Sequence, residues 1–148
     1  MANICFNISL GRVASLAALP ATNDALIAVP LEASGLVSDA TMRDYDDLQT
    51  LLAGATNEQT TMGRKTLTGV TVTVDDTNDR VAIDCADITW TSATGNAVGA
   101  LLICYDPDTT TGTDADLVPL TKHDLTMTPD GSNYTVTIAD FYRATSAA

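Results

Sequence analysis

The sequence is poor in aromatic residues and in positive charge. The first shortage limits how the core can be built, and the second argues against one class of partner. Aromatic residues make up 5% of the 148 residues, so a core must be built from Val, Ile, Leu and Ala. Seven Lys and Arg stand against 19 Asp and Glu, for a formal net charge of -12. A field of this sign repels phosphate backbones, which argues against a nucleic-acid partner.

Cysteine and long apolar runs are also scarce. The three cysteines, Cys5, Cys85 and Cys104, form no CxxC pair, which excludes zinc-knuckle and thioredoxin-type motifs. Each lies in an apolar run, so we predict buried, reduced thiols. No segment approaches the roughly 20 apolar residues of a membrane span, and the N-terminus lacks the pattern of a secretory signal. We therefore expect synthesis in a cytoplasm and no membrane partner.

What the sequence does contain is a series of strand-like runs separated by acidic turns. Val70–Trp90 reads VTVTVDDTNDRVAIDCADITW, in which apolar residues alternate around a turn at 75–79. Ala97–Tyr105 is apolar at almost every position, which predicts a central strand covered on both faces. The pattern predicts one domain over 1–148, mainly β, folded as an antiparallel β-sandwich or partly open barrel.

Other local patterns predict further elements. An opening strand is predicted over 4–10, and Asp130–Gly131 is a hairpin turn candidate between strands at 125–128 and 134–138. A change of side-chain parity near Ala86–Asp87 suggests a β-bulge. Pro30 predicts that a strand over 25–31 lies at a sheet edge or ends there.

One short α-helix is predicted over residues 41–53. Apolar side chains recur at three- and four-residue spacings along one face. Thr41 is a plausible N-cap, and Gly54 is a natural stop. The apolar face comprises Met42, Tyr45, Leu48, Leu51 and Leu52.

The chemistry-bearing residues give no catalytic constellation. His123, the only histidine, lacks a GxSxG elbow and is interpreted as a surface or turn residue. Gly63-Arg64-Lys65-Thr66 fails the phosphate-loop pattern, so Arg64 and Lys65 are interpreted as a basic patch for an acidic partner surface. No catalytic residue and no cofactor are predicted.

A run of aspartates after the central strand offers the best candidate cation ligands. Carboxylate oxygens suit hard cations such as Ca²⁺, but the EF-hand positions for Gly and Glu hold Thr111 and Leu117. A metal-dependent binding module or hydrolase built on this loop stays open as an alternative to turn formation. The candidates are Asp106, Asp108, Asp114 and Asp116.

Ordered motifs along most of the chain resemble a family of tailed-bacteriophage virion structural proteins. The most specific are Asp75–Arg80, Asp87–Trp90, Tyr105–Asp108, Gly112–Asp116, and Pro119–Thr121 followed by His123–Asp124. Further matches are Asn3–Cys5, Gly11–Val13, Asp39–Thr41, Asp44–Leu48, Arg64–Lys65 before Leu67–Thr68, and Phe141–Ala144.

This resemblance implies a non-enzymatic head decoration (cement) protein that binds and stabilises the capsid exterior. The implied partner is the major capsid protein, and the implied state is a homo-oligomer, a trimer or another symmetric cluster, on the virion surface. A tail or head–tail joining protein is the alternative within the same family. Contact candidates are the N-terminal segment Ile4–Leu19, with Ile4, Phe6 and Ile8, the basic pair Arg64 and Lys65, and the C-terminal residues Phe141, Tyr142 and Arg143. Both terminal segments could equally serve to close the sheet.

Overall fold

A computed structural model describes residues 2–146 of the chain. This range contains ten β-strands, three short α-helices and one 3-10 turn at Asn7–Ser9. The helices are α1 (Val13–Ala17), α2 (Asp39–Met42) and α3 (Leu48–Ala53). The strands are β1 (Ile4–Cys5), β2 (Ala25–Glu32), β3 (Lys65–Thr66), β4 (Thr71–Asp75), β5 (Arg80–Asp84), β6 (Ile88–Trp90), β7 (Val98–Asp106), β8 (Val118–Met127), β9 (Tyr134–Val136) and β10 (Tyr142–Thr145).

The largest sheet has five strands in the order β1-β8-β7-β2-β3, and β7 is its centre. Side chains alternate along β7, so Leu101 and Ile103 enter one core cluster. Leu102 and Cys104 enter a second cluster on the opposite face. The prediction of a central strand covered on both faces is confirmed.

Two smaller sheets and the helices cover the faces of this sheet. The order β10-β5-β4 forms one small sheet, and β6 pairs with β9 in the other. The first core cluster joins Ile83 of β5 and Trp90 of β6 to the large sheet. The second joins Met42 of α2 and Leu51 of α3 to it. The pairings in residues 2–146 are antiparallel and do not close into a barrel, so the prediction of a mainly β, sandwich-like fold is confirmed.

The single helix predicted over 41–53 is wrong, because the chain forms two short helices there. Ser38 caps α2 by accepting the Thr41 N–H at 3.2 Å, so Thr41 lies inside this helix. Asp47 starts α3 by accepting the Thr50 N–H at 2.7 Å. An Asp side chain bonded in this way competes with continuous helix.

The residues of the predicted apolar face still pack together, although the helix is interrupted. Met42, Leu48 and Leu51 are fully buried, and Tyr45 and Leu52 pack at the edge of the same core cluster. Gly54 caps the end of α3 as predicted.

Three further predictions are wrong, each for its own reason. The opening strand is only β1, since the chain enters a 3-10 turn after Cys5. Asp130–Gly131 connects different sheets, because β9 pairs with β6 rather than β8. The parity change at Ala86–Asp87 is the point where the chain leaves the β5 sheet for the β6 sheet, not a bulge.

β2 continues through Pro30 to Glu32 rather than ending at the proline. The carbonyl of Pro30 accepts the Gln59 N–H at 2.9 Å, so the main-chain groups of this residue point away from β7. The missing N–H therefore costs no bond in the β2–β7 ladder. On that side β3 pairs with Ile27 and Ala28, and residues 57–59 bond to Pro30 and Glu32, so the prediction of an edge strand is wrong.

Candidate interaction surface

The structure brings the predicted N-terminal and C-terminal contact segments together. β1 is an edge strand of the large sheet, and β10 is an edge strand of the three-stranded sheet. A cavity of about 190 Å³ lies between them and is lined by Ile4, Phe141, Tyr142 and Arg143, among others. We call these four residues the terminal surface.

Long-range hydrogen bonds hold the N-terminal side of this surface in place. Ile4 lies opposite Lys122 in the β1–β8 ladder. The Asn3 side chain accepts the Asp124 N–H at 2.8 Å, and the Ala2 N–H donates to Asp39 Oδ2 at 2.6 Å.

The C-terminal side is fixed by β5 and by an ion pair. Tyr142 lies opposite Ile83 in the β10–β5 ladder. Arg143 donates to Asp140 Oδ2, with its terminal nitrogen at 2.6 Å, and its side chain is about half exposed. Phe141 is buried in the first core cluster and presents little area to solvent.

Two N-terminal contact candidates lie away from the terminal surface. Phe6 is completely buried in the second core cluster, and its N–H donates to the Leu120 carbonyl at 3.1 Å. Ile8 is half-buried against the same cluster. The exposed apolar residues of this segment are instead Leu10 and Leu19, which flank α1.

Arg64 is engaged inside the molecule rather than on a free basic patch. Its guanidinium binds Glu58 at 2.6 and 2.8 Å and Asp114 at 2.6 and 2.9 Å, in two bidentate pairs. These hydrogen bonds, to Glu58 first, raise the pKa of Arg64, and the same guanidinium lowers the pKa of Asp114. Lys65 is half-buried in β3, opposite Ala28, and forms no ion pair within residues 2–146. Neither residue borders the terminal surface.

The four aspartates of the loop after β7 do not converge on a common point. Asp108 accepts hydrogen bonds from the N–H and hydroxyl groups of Thr110 and Thr111, and Asp116 accepts two from Thr113. Asp106 Oδ1 accepts the Asp108 N–H at 3.1 Å, while Asp114 binds Arg64. Across the described part of the chain, no three His, Cys, Asp or Glu side chains are arranged as metal ligands.

These hydrogen bonds also set the acidity of the loop. The two threonine hydroxyls are the main reason that the pKa of Asp108 lies well below its usual value. The Thr113 N–H and hydroxyl lower the pKa of Asp116 in the same way. The carboxylates act as charged turn-formers, as the preference of Asp for turns predicts.

Lys122 is a buried cation that the sequence did not reveal. Its side chain is fully buried, and Nζ donates to Asp39 Oδ1 at 2.9 Å and to Asp124 Oδ1 at 2.6 Å. The hydrogen bond from Lys122, together with that from Ala2, lowers the pKa of Asp39. The available signal was the spacing of two between Lys122 and Asp124, which places them on one face of a strand. It was missed because the sequence pattern begins a strand only at residue 125, whereas β8 already begins at Val118.

His123 is also inside β8, so its interpretation as a surface or turn residue is wrong. It is half-buried, its Nε2 lies 2.9 Å from Thr121 Oγ1, and its ring meets Phe141 edge-on at 6.5 Å between centroids. Burial, with a contribution from the Lys122 charge, lowers the pKa of His123, while Asp124 opposes the change.

The remaining predictions concern the thiols and membrane spans. Cys85 and Cys104 are buried, Cys5 is half-buried, and all three are free thiols, as predicted. Trp90 is a core residue whose Nε1 donates to the Gly63 carbonyl at 3.0 Å. Within residues 2–146, no helix has the length and apolar character to cross a bilayer.

Comparisons with protein-family models, with curated proteins and with solved structures find no significant match to this chain.

Proposed function

We propose that this protein is a non-enzymatic structural component of a tailed-bacteriophage particle that binds and stabilises the capsid exterior. In this proposal it decorates the shell as a symmetric oligomer, such as a trimer, with the major capsid protein as partner. A tail or head–tail joining protein is the alternative within the same class. The proposal begins from the motif resemblance described above.

The observation that carries the proposal is the convergence of the two chain ends on the terminal surface. Residues near positions 4 and 142 come from different sheets, yet they line one cavity of about 190 Å³. Both bordering elements are edge strands, whose outer main-chain groups are a common site of pairing with another chain.

The organisation of the rest of the fold supports a scaffold role. The central sheet is covered on both faces, and the Asp-rich loop is tied by local hydrogen bonds and by Arg64. A stiff domain loses little conformational entropy when it binds. The net charge of -12 favours solubility of free subunits, and repeated weak contacts on a shell bind with avidity.

Co-sedimentation with undecorated capsids tests this proposal. We expect saturable binding with a fixed ratio to the major capsid protein, and about tenfold weaker binding by Arg143→Glu if that guanidinium contacts the shell. The matched control is Arg80→Glu, because Arg80 also pairs with a turn carboxylate, Asp75, but lies outside the terminal surface. Its binding should equal that of the wild type.

Two outcomes would overturn the proposal in different ways. Association with purified tails and not with capsids would reject capsid decoration in favour of a tail or joining role. Absence of binding to any particle component would reject the virion assignment as a whole. Sedimentation equilibrium on the free protein separately tests the proposed oligomer.

A further inference from the structure

A second and larger cavity adjoins the terminal surface and has no assigned role. Its volume is about 330 Å³, which is at the lower end of the range for ligand pockets. It lies between β8 and the segment 136–141, and His123 and Phe141 line both this cavity and the smaller one. We call it the anchor cavity.

Apolar side chains from the large sheet, from β9 and from the segment after β9 form most of its wall. The apolar lining residues are Leu101, Ile103, Leu125, Val136, Ile138, Ala139 and Phe141. A side chain that enters an apolar cleft of this size leaves water and gains dispersion contacts with the wall. The chemistry of the wall therefore suits an aromatic or branched aliphatic group.

The outer wall of the anchor cavity is held at a fixed distance from the sheet. Asp87 Oδ1 accepts the Ile138 N–H at 2.9 Å, and Asp84 Oδ1 accepts the Asp140 N–H at 3.2 Å. These side-chain bonds to the main chain fix the 136–141 segment without filling the space behind it. The cavity is consequently formed before any partner binds, which reduces the ordering cost of binding.

The electrostatic surroundings select a cationic neighbour for the apolar group. Asp140 lines the cavity, and no Lys or Arg does. Asp124 also borders it, but its carboxylate binds Lys122 on the opposite face of β8. Asp140 binds Arg143 through Oδ2, and its Oδ1 accepts no hydrogen bond within residues 2–146.

The negative field extends into the cavity. Burial first, and then the charges of Asp84 and Asp87, raise the pKa of the Cys85 thiol on the cavity wall to about 11. With a net charge of -12 on the whole chain, this field attracts positive groups and repels negative ones.

We propose that the anchor cavity receives one aromatic side chain of a protein partner, flanked in the partner sequence by Lys or Arg. The aromatic group fills the apolar space, and the flanking cation binds the open oxygen of Asp140. The site rests on the proposed function only in taking the occupant to be a protein. It adds an anchor of defined chemistry next to the terminal surface.

Titration of the isotope-labelled full chain with blocked tripeptides tests the site directly. N-acetyl-Lys-Phe-Lys-amide should bind saturably and shift the amide resonances of residues 123–125 and 136–141. The Lys-Ala-Lys peptide should bind about tenfold more weakly, because it lacks the buried ring. The Glu-Phe-Glu peptide should bind similarly weakly, because the negative field of the protein repels its carboxylates.

Two variants and one control locate the binding. Ala139→Trp places a bulky ring at an exposed lining position and should weaken the Lys-Phe-Lys peptide about tenfold. Ala115→Trp adds the same ring on the exposed loop after β7, away from the cavity, and should bind as the wild type does. Asp140→Asn should weaken the Lys-Phe-Lys peptide and leave a neutral Ser-Phe-Ser peptide unchanged.

Several results would contradict the proposal that the anchor cavity binds an aromatic side chain. They are the absence of saturable binding, shifts confined to other regions, equal affinity for the Phe and Ala peptides, and full binding by Ala139→Trp. Capsid sedimentation separates this site from the proposed function. If the peptides bind but the protein does not bind capsids, the anchor cavity remains a binding site and the decoration role is rejected. Normal capsid binding by Ala139→Trp would keep the decoration role and remove the cavity from it.

Discussion

The ammonium nitrogen of Lys122 lies 2.9 Å from Asp39 Oδ1, although the two residues are 83 positions apart in the chain. Asp124 is the second carboxylate on the same nitrogen, and Asp39 also accepts the N–H of Ala2. The contact therefore joins β8, the first turn of α2 and the N-terminal segment. It ties α2 and the residues before β1 to the large sheet.

We predict unequal effects from removing the two sides of this ion pair. The Asp39→Asn, Asp124→Asn double variant leaves the buried ammonium without a counter-charge and should lose about 3–5 kcal/mol of unfolding free energy. Lys122→Met leaves carboxylates that still contact water, and should change stability by about 1 kcal/mol or less. Urea denaturation measures both. Adding Lys122→Met to the double variant should restore most of the loss, and failure of this rescue would contradict the explanation.

Substitutions of Arg64 and Lys65 should change the unfolding free energy by very different amounts, although the two residues are adjacent and both basic. Arg64→Lys cannot reproduce two bidentate carboxylate pairs and should lose about 1–2 kcal/mol of unfolding free energy, discounted for partial exposure. Lys65→Gln is the matched control and should change it by less than about 0.5 kcal/mol. Thermal and urea denaturation measure both variants. If Arg64→Lys changes the unfolding free energy as little as Lys65→Gln does, the Glu58–Arg64–Asp114 cluster does not stabilise the fold.

Stability should fall as the pH drops from neutrality toward 5, because of His123. Burial lowers the pKa of His123 in the folded protein, whereas the unfolded chain takes up its proton near pH 6.5. The unfolded state therefore binds more protons below that pH, and the contribution of His123 is fully present only above it.

His123→Gln tests this assignment because His123 is the only histidine in the chain. The slope of unfolding free energy between about pH 5 and 7 should disappear in the variant, since the aspartates with lowered pKa act mainly at lower pH. A slope that persists unchanged would assign the pH dependence to another group.

Two buried threonines should respond oppositely to the same substitution. Thr56 is almost completely buried, and its hydroxyl has no hydrogen-bond partner within the described residues, so Thr56→Val should be neutral or stabilise by about 1 kcal/mol. The Thr121 hydroxyl is bonded to His123 Nε2, so Thr121→Val should destabilise by about 1 kcal/mol. Urea midpoints of the two variants compare them, and destabilisation by Thr56→Val would imply an unrecognised partner for its hydroxyl.

The candidate site was predictable only in part. Ile4, Tyr142 and Arg143 were identified as separate terminal candidates, but nothing in the sequence placed them beside one cavity. Phe6 has the same apolar character as Ile4 and is fully buried, because the chain turns into the 3-10 segment immediately after it. Exposure of an apolar residue depends on packing against distant segments, which sequence periodicity does not report.

The sequence by itself determined the local features of this protein. Alternation predicted β4 and β5, and a nearly continuous apolar run predicted the central strand β7. The preference of Asp for turns predicted the carboxylates bound to neighbouring threonines. Such features follow from side-chain period and hydrogen bonds that span only a few residues.

Only the tertiary structure decided which strands and side chains contact one another. It paired β9 with β6, buried Lys122 against Asp39, bound Arg64 to Asp114 from 50 positions away, and left the two adjoining cavities between the sheets. A buried charge is tolerated only where an opposite charge arrives from elsewhere in the fold, and a cavity exists only where packed elements fail to meet. Both depend on contacts between residues far apart in sequence, which is why local patterns did not contain them.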